Sequence, residues 1–158
     1  MKKLDSLLAS GAMKDSTTVP FAMRPKVDRK NMGPMVRGYV NAILEGYPFN
    51  DIDDVTERAL QQMIRDCVGF YWRYRAVFEQ VWNDPFGEYG ERQAGRDFWL
   101  SRNKHRGFIA NSDPFDDDEI WDILESGAIG FGPFAVMLTN DGEIDADFGG
   151  WYANGTET

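Results

Sequence analysis

Asp97-Phe98-Trp99-Leu100-Ser101-Arg102-Asn103-Lys104-His105-Arg106-Gly107-Phe108-Ile109 is the stretch on which the fold class turns. Two short aromatic, β-favouring runs, Asp97 to Ser101 and Gly107 to Ile109, flank the polar Arg102 to Arg106. That pattern predicts a β-hairpin whose turn is set by Asn103. A Gly-rich loop, Phe86 to Gly95, leads into it. A second hairpin is predicted between Phe134 and Phe148, because Asn140-Asp141-Gly142 supplies residues that tolerate positive φ.

Helical spacing accounts for much of the rest. Pro34 suits a first helical position, and Val36, Tyr39, Val40, Ile43, Leu44 and Tyr47 follow at helical intervals until Pro48. Leu60, Ile64, Cys67, Tyr71, Tyr74, Phe78 and Val81 alternate steps of four and three, which predicts one long helix over about residues 54–82 with Arg58, Arg65, Arg73 and Arg75 on its solvated face. Asp113-Pro114 reads as an N-cap and first turn, with Asp116, Asp117, Asp118 and Glu119 near the positive helix end and Ile120, Trp121, Ile123 and Leu124 on the buried side. The expected fold is therefore α+β: a single domain over 33–150, about three helices packed on a small antiparallel sheet of two hairpins. Residues 1–32 read as a basic, flexible arm and 151–158 as a tail.

Charge divides the chain more sharply than structure does. All 17 Lys and Arg lie between Lys2 and Arg106, while the last 52 residues carry 12 of the 26 acids and no basic residue. A surface that stays this negative concerns partners more than catalysis. One Cys and one His exclude a disulfide framework and a zinc site built from several such ligands. Lys2-Lys3 precede too short an apolar run for a signal peptide, and no stretch approaches the roughly 18–20 apolar residues of a membrane span. The expected location is cytoplasmic, with no membrane partner and no cofactor.

The polar cluster Arg102, Asn103, Lys104, His105 and Arg106 beside Trp99 is the first candidate site. Histidine is the side chain that exchanges a proton near neutral pH, so an enzyme built on this chain would use His105. Asp97, Ser101 and His105 supply the residue types of a nucleophile triad, although a turn separates His105 from the other two and the spacing does not support one. Trp99 or Phe108 could stack on bases while Arg102, Lys104 and Arg106 meet phosphates, but the net charge of −9 opposes nucleic acid at long range. The acids Asp116, Asp117, Asp118, Glu119 and Asp122 form the second candidate. Pro114-Phe115 breaks the alternating pattern of a calcium loop, and the helix dipole accounts for the run, so no metal site is expected. Neither a GxxxxGK[ST] nor a GxGxxG phosphate loop occurs.

Residues about 36 to 147 resemble a family of small, largely uncharacterised bacteriophage proteins. The likeness rests on Val36-Arg37-Gly38-Tyr39-Val40-Asn41-Ala42, on Asp66-Cys67-Val68-Gly69-Phe70, and on a signature of the form DFWLTRNGHGAGFWD, which here runs from Asp97 to Phe108. Lys104 and Arg106 stand where that signature has glycines, one residue is missing before Gly107, and Ile109 replaces an aromatic. The resemblance implies a phage origin and a role in the host cytoplasm during infection, with no activity to carry over. The leading expectation is a non-enzymatic accessory protein that binds another protein, a host nucleic-acid-binding or defence protein, through an acidic surface imitating nucleic acid. Nucleic-acid binding by the arm and the Arg102–Arg106 cluster is the alternative, and an enzyme using His105 the third. Opposite charges on the two halves also permit self-association.

Overall fold

Residues 25–83, 87–113 and 119–147 are described by the computed structural model. Pro34 opens the first helix, α1 (Pro34–Leu44), as its fixed φ allows, and Met35, Val36, Tyr39, Val40 and Ile43 are buried along it. Thr56 caps the second, α2 (Glu57–Arg73), by accepting from the Ala59 N–H, with Glu57 in its first turn and Arg73 in its last, as the helix dipole favours.

The single long helix expected over 54–82 is two. The chain leaves helical geometry at Tyr74 (φ −112°, ψ 24°) and resumes as α3 (Arg75–Trp82). An unbroken helix would put about 12 Å of rise between Phe70 and Phe78. The break brings their ring centroids to 5.9 Å, and the Tyr74 ring lies against Gly127, where a Cβ would fall 2.3 Å from Tyr74 Cζ. One altered residue leaves the apolar spacing intact, so periodicity alone could not show the break.

The larger correction concerns the stretch from Asp97 to Ile109. It is not a hairpin: the fourth helix, α4 (Glu91–Arg102), runs through Asp97-Phe98-Trp99-Leu100-Ser101 and also takes in the end of the expected Phe86–Gly95 loop. A further helix, α5 (Ile120–Phe131), follows a single 3-10 turn at Ile109–Asn111. Of the expected helix start, Asp113 is described and is not helical, and 114–118 lie outside the described residues, as does the tail; the described helix begins at Ile120 with Glu119 as its N-cap. The second hairpin is present as β1 (Val136–Leu138) and β2 (Ile144–Ala146), antiparallel with Val136 opposite Ala146 and Gly142 at φ +81° in the turn. Among the described residues the protein thus has five α-helices and one two-stranded sheet, and the α+β expectation of about three helices on two hairpins gives way to a predominantly helical fold.

Two glycines explain how α1 and α4 meet. A Cβ on Gly38 would sit 1.9 Å from Arg92 O, and one on Gly95 would sit 1.7 Å from Met35 O. The helix backbones touch there, which only glycine permits. Around this crossing Phe70, Phe98 and Phe108 are fully buried, Phe70 stacking on Phe98 at 4.2 Å and 15° between planes. Residues 25–32, expected to end the flexible arm, lie against this body: Met32 is buried, the Val27 N–H donates to Glu57, and Gln61 Nε2 donates to Pro25 O at 3.2 Å.

Candidate functional site

The polar residues of α4 turn inward. Asp97 is buried and accepts from Tyr89 Oη (2.7 Å), Gln93 Nε2 (3.0 Å) and Asn111 Nδ2 (2.9 Å). Burial pushes its carboxyl above the usual range, only partly offset by those three donors. Ser101 Oγ donates to Glu125 Oε1 at 2.7 Å and accepts from the N–H groups of Gly107 and Phe108. Both side chains hold the 107–111 segment onto the helix. His105 is exposed and bonds through its backbone N–H to Leu100 O, so the triad types Asp97, Ser101 and His105 do not converge.

Arg102 was expected at a surface that meets phosphates; it is 4 % exposed. Its Nε donates to Gly132 O (2.8 Å), and Nη1 donates to Asp66 Oδ2 (2.8 Å) and Tyr39 Oη (3.1 Å). The guanidinium lies 5.1–5.3 Å from the ring centroids of Phe98, Phe131 and Phe134. Burial works against its charge, and Tyr39 and Asp66 more than offset that. Trp99 is half-buried against Tyr39 and Phe134, and Asn103 donates to Trp99 O while accepting from the Phe134 N–H. Only Lys104, His105 and Arg106 of the cluster are exposed, in a turn where Lys104 and Arg106 take φ +65° and +58°. Of the second cluster, Glu119 and Asp122 are exposed at the start of α5, whereas Asp116, Asp117 and Asp118 lie outside the described residues. Among the described residues no three His, Cys, Asp or Glu side chains come close enough to hold a metal, and no helix is long and apolar enough to cross a membrane.

A different acidic surface emerges from the folded chain. Asn50 Nδ2 donates to Gly142 O (2.9 Å), and Val55 pairs with Ile144, so the 49–55 loop runs beside the β-hairpin. This end of the molecule gathers the exposed acids Asp51, Asp53, Asp141 and Glu143 with the half-buried Asp54. Among them Phe49 stands 98 % exposed and Leu138 53 %. Neighbouring cations are paired: Arg29 bonds Glu57 and, within this loop, the Ile52 carbonyl, and Arg58 bonds Asp145. Burial raises the Asp145 carboxyl, but bonds from Arg58, Thr56 and the Ala146 N–H carry it below the usual range. Phe49 and Asp51 to Asp54 are not among the residues that the sequence marks as a site. Their signal was an aromatic between Pro48 and an acidic run, a place where no core demand explains the ring.

Beside Arg102 a cleft of about 230 Å³ opens between α2 and the strand-flanking segments, lined by Gln62, Asp66, Arg102, Phe131, Phe134 and Ala135 among others. Searches of protein-family models, of curated proteins and of solved structures find no match to this chain.

Proposed function

We propose that this chain is a non-catalytic binding protein whose acidic end, centred on Phe49, docks a protein with a basic surface. The observation that carries the reading is the aromatic ring left 98 % exposed among five carboxylates. A phenyl ring in water costs free energy that burial in a partner's pocket would recover, while the surrounding carboxylates steer a cationic partner and repel anionic ones. Carboxylates displayed where the neighbouring described Arg29 and Arg58 are each paired with an acid resemble a run of phosphates, so a nucleic-acid-binding protein fits best. The resemblance of residues 36–147 to small phage proteins supports a host protein of that kind, one acting in defence included, met in the cytoplasm of an infected cell.

The contiguous exposed Lys104, His105 and Arg106 favour a second reading, direct nucleic-acid binding. Tagged wild-type protein and two variants, Phe49→Ala with Asp53→Lys, and Lys104→Ala with Arg106→Ala, separate the two in affinity capture from infected cells and in DNA titrations over a salt series. A protein captured by wild type and the second variant but lost with the first supports the proposal. Capture unaffected by the first variant, or DNA binding that falls steeply with salt and is lost with the second, overturns it.

A further inference from the structure

We infer that the cleft beside Arg102 is a binding site for a small neutral ring carrying a cyclic amide, in which a carbonyl oxygen sits next to an N–H. The inference is independent of the acidic end. Its basis is the unused hydrogen-bonding capacity of a buried ion pair. Arg102 offers five N–H groups: Nε serves Gly132 O, and Nη1 serves Asp66 and Tyr39. Nη2, with its two N–H groups, has no partner among the described residues, yet it is not among the sealed polar atoms of the interior, and Arg102 lines the cleft. Asp66, 12 % exposed, also lines it; among the described residues Oδ1 accepts only from Gln62 Nε2 and Oδ2 only from Arg102, leaving lone pairs on both oxygens.

The free donor and the free acceptors therefore belong to one ion pair, Nη2 sharing a guanidinium with the Nη1 that bonds Asp66 Oδ2 at 2.8 Å, and Phe131, Pro133, Phe134 and Ala135 line the same cleft. Charge decides what can enter. Asp66 already balances Arg102, and the whole chain carries −9, both of which oppose a carboxylate or phosphate. A cation would have to approach the Arg102 N–H groups. A neutral lactam meets both halves: its carbonyl accepts from Arg102 Nη2, its N–H donates to Asp66, and its planar face packs on the aromatic and proline walls. A volume of about 230 Å³ admits one or two fused rings.

The test is NMR titration of the full chain, following the Arg102 Nε–H, the Gln62 side-chain amide and the backbone N–H groups of Ala135 and Ala146. The probes are uracil and hypoxanthine, for one ring and two, uridine to learn whether an attached sugar is accepted, and 1,3-dimethyluracil, which keeps the ring and carbonyls but has no N–H. Saturable shifts at these groups are expected with uracil or hypoxanthine, with dimethyluracil weaker by about tenfold or more, as when a site built for a hydrogen bond meets an analogue lacking it. Asp66→Asn and Arg102→Gln endanger the fold, so the blocking variant is Ala135→Trp at an exposed position, its integrity checked by thermal melting; it should abolish the shifts. No saturable shift with either lactam, equal binding of dimethyluracil, or undiminished binding to folded Ala135→Trp overturns the inference.

Discussion

Replacing Lys104 and Arg106 by glycine should stabilise this protein, and the size of the gain follows from how α4 ends. The Lys104 N–H donates to Ser101 O and the His105 N–H to Leu100 O, the paired bonds of a Schellman ending in which Lys104 occupies the position where glycine is usual. Lys104 at φ +65° and Arg106 at φ +58° each pay about 1–2 kcal/mol for left-handed geometry. Glycine removes that cost but gives back about 0.5–1 kcal/mol through the greater freedom of the unfolded chain. Each substitution should net about 0.5–1 kcal/mol, and both side chains are exposed, so little packing is lost. At roughly 2–4 °C per kcal/mol for a chain of this size, the double variant should melt about 2–8 °C higher. Calorimetry at high salt, where surface charge is screened, is the assay. Lys104→Ala with Arg106→Ala is the control, since alanine loses the same charges and keeps the φ cost. A glycine variant that melts no higher than wild type, or an alanine variant that gains as much, would refute the reasoning.

Other outcomes follow from the same geometry. Gly95→Ala places a Cβ 1.7 Å from Met35 O and must separate α1 from α4, so circular dichroism should show a cooperative transition lowered by many degrees or absent. Asp66→Ala strands the buried Arg102 guanidinium and should cost about 3–5 kcal/mol in urea unfolding, while Asp66→Leu with Arg102→Leu should recover much of that; a double variant as unstable as Asp66→Ala would count against the pair's assigned role. Asp97 titrates above its ordinary 3.8 in the fold, so its protonation favours folding: this contribution grows as pH falls through the folded value toward 3.8 and is lost as pH rises. Asp145 titrates below 3.8, so its contribution is present above that value and lost as pH falls through the folded one. Urea unfolding across pH should therefore show Asp97→Asn flattening the profile above pH 3.8 and Asp145→Asn flattening it below; profiles parallel to wild type above 3.8 would discount Asp97.

The first helix, the core stripe of α2 and the second hairpin were legible because each follows one rule: apolar spacing of 3.6, or a turn that needs positive φ. The stretch from Asp97 to Ile109 misled because its buried face is polar. Ala94, Gly95, Asp97, Phe98, Ser101 and Arg102 are the buried positions of α4, a helical rhythm in which only Phe98 is a large apolar residue. Aromatic β-formers stand out instead, and Asn103, which in sequence suits a hairpin turn, is the C-cap of α4. For the candidate site, side-chain type separated acids from bases correctly but could not tell a buried, paired Arg102 from an exposed Arg106. Phe49 joins the hairpin acids through the Asn50–Gly142 bond and the Val55–Ile144 bridge, contacts between distant parts of the chain.

The touching backbones at Gly38 and Gly95 have a consequence for anyone who later compares this chain with its relatives. Those two positions accept no side chain at all, so saturation mutagenesis should find them as intolerant as any residue that performs chemistry. Two invariant glycines, one of them in Val36-Arg37-Gly38-Tyr39 and the other just ahead of Asp97-Phe98-Trp99, would then look like parts of a reactive motif. They would instead record the distance of closest approach between two helices.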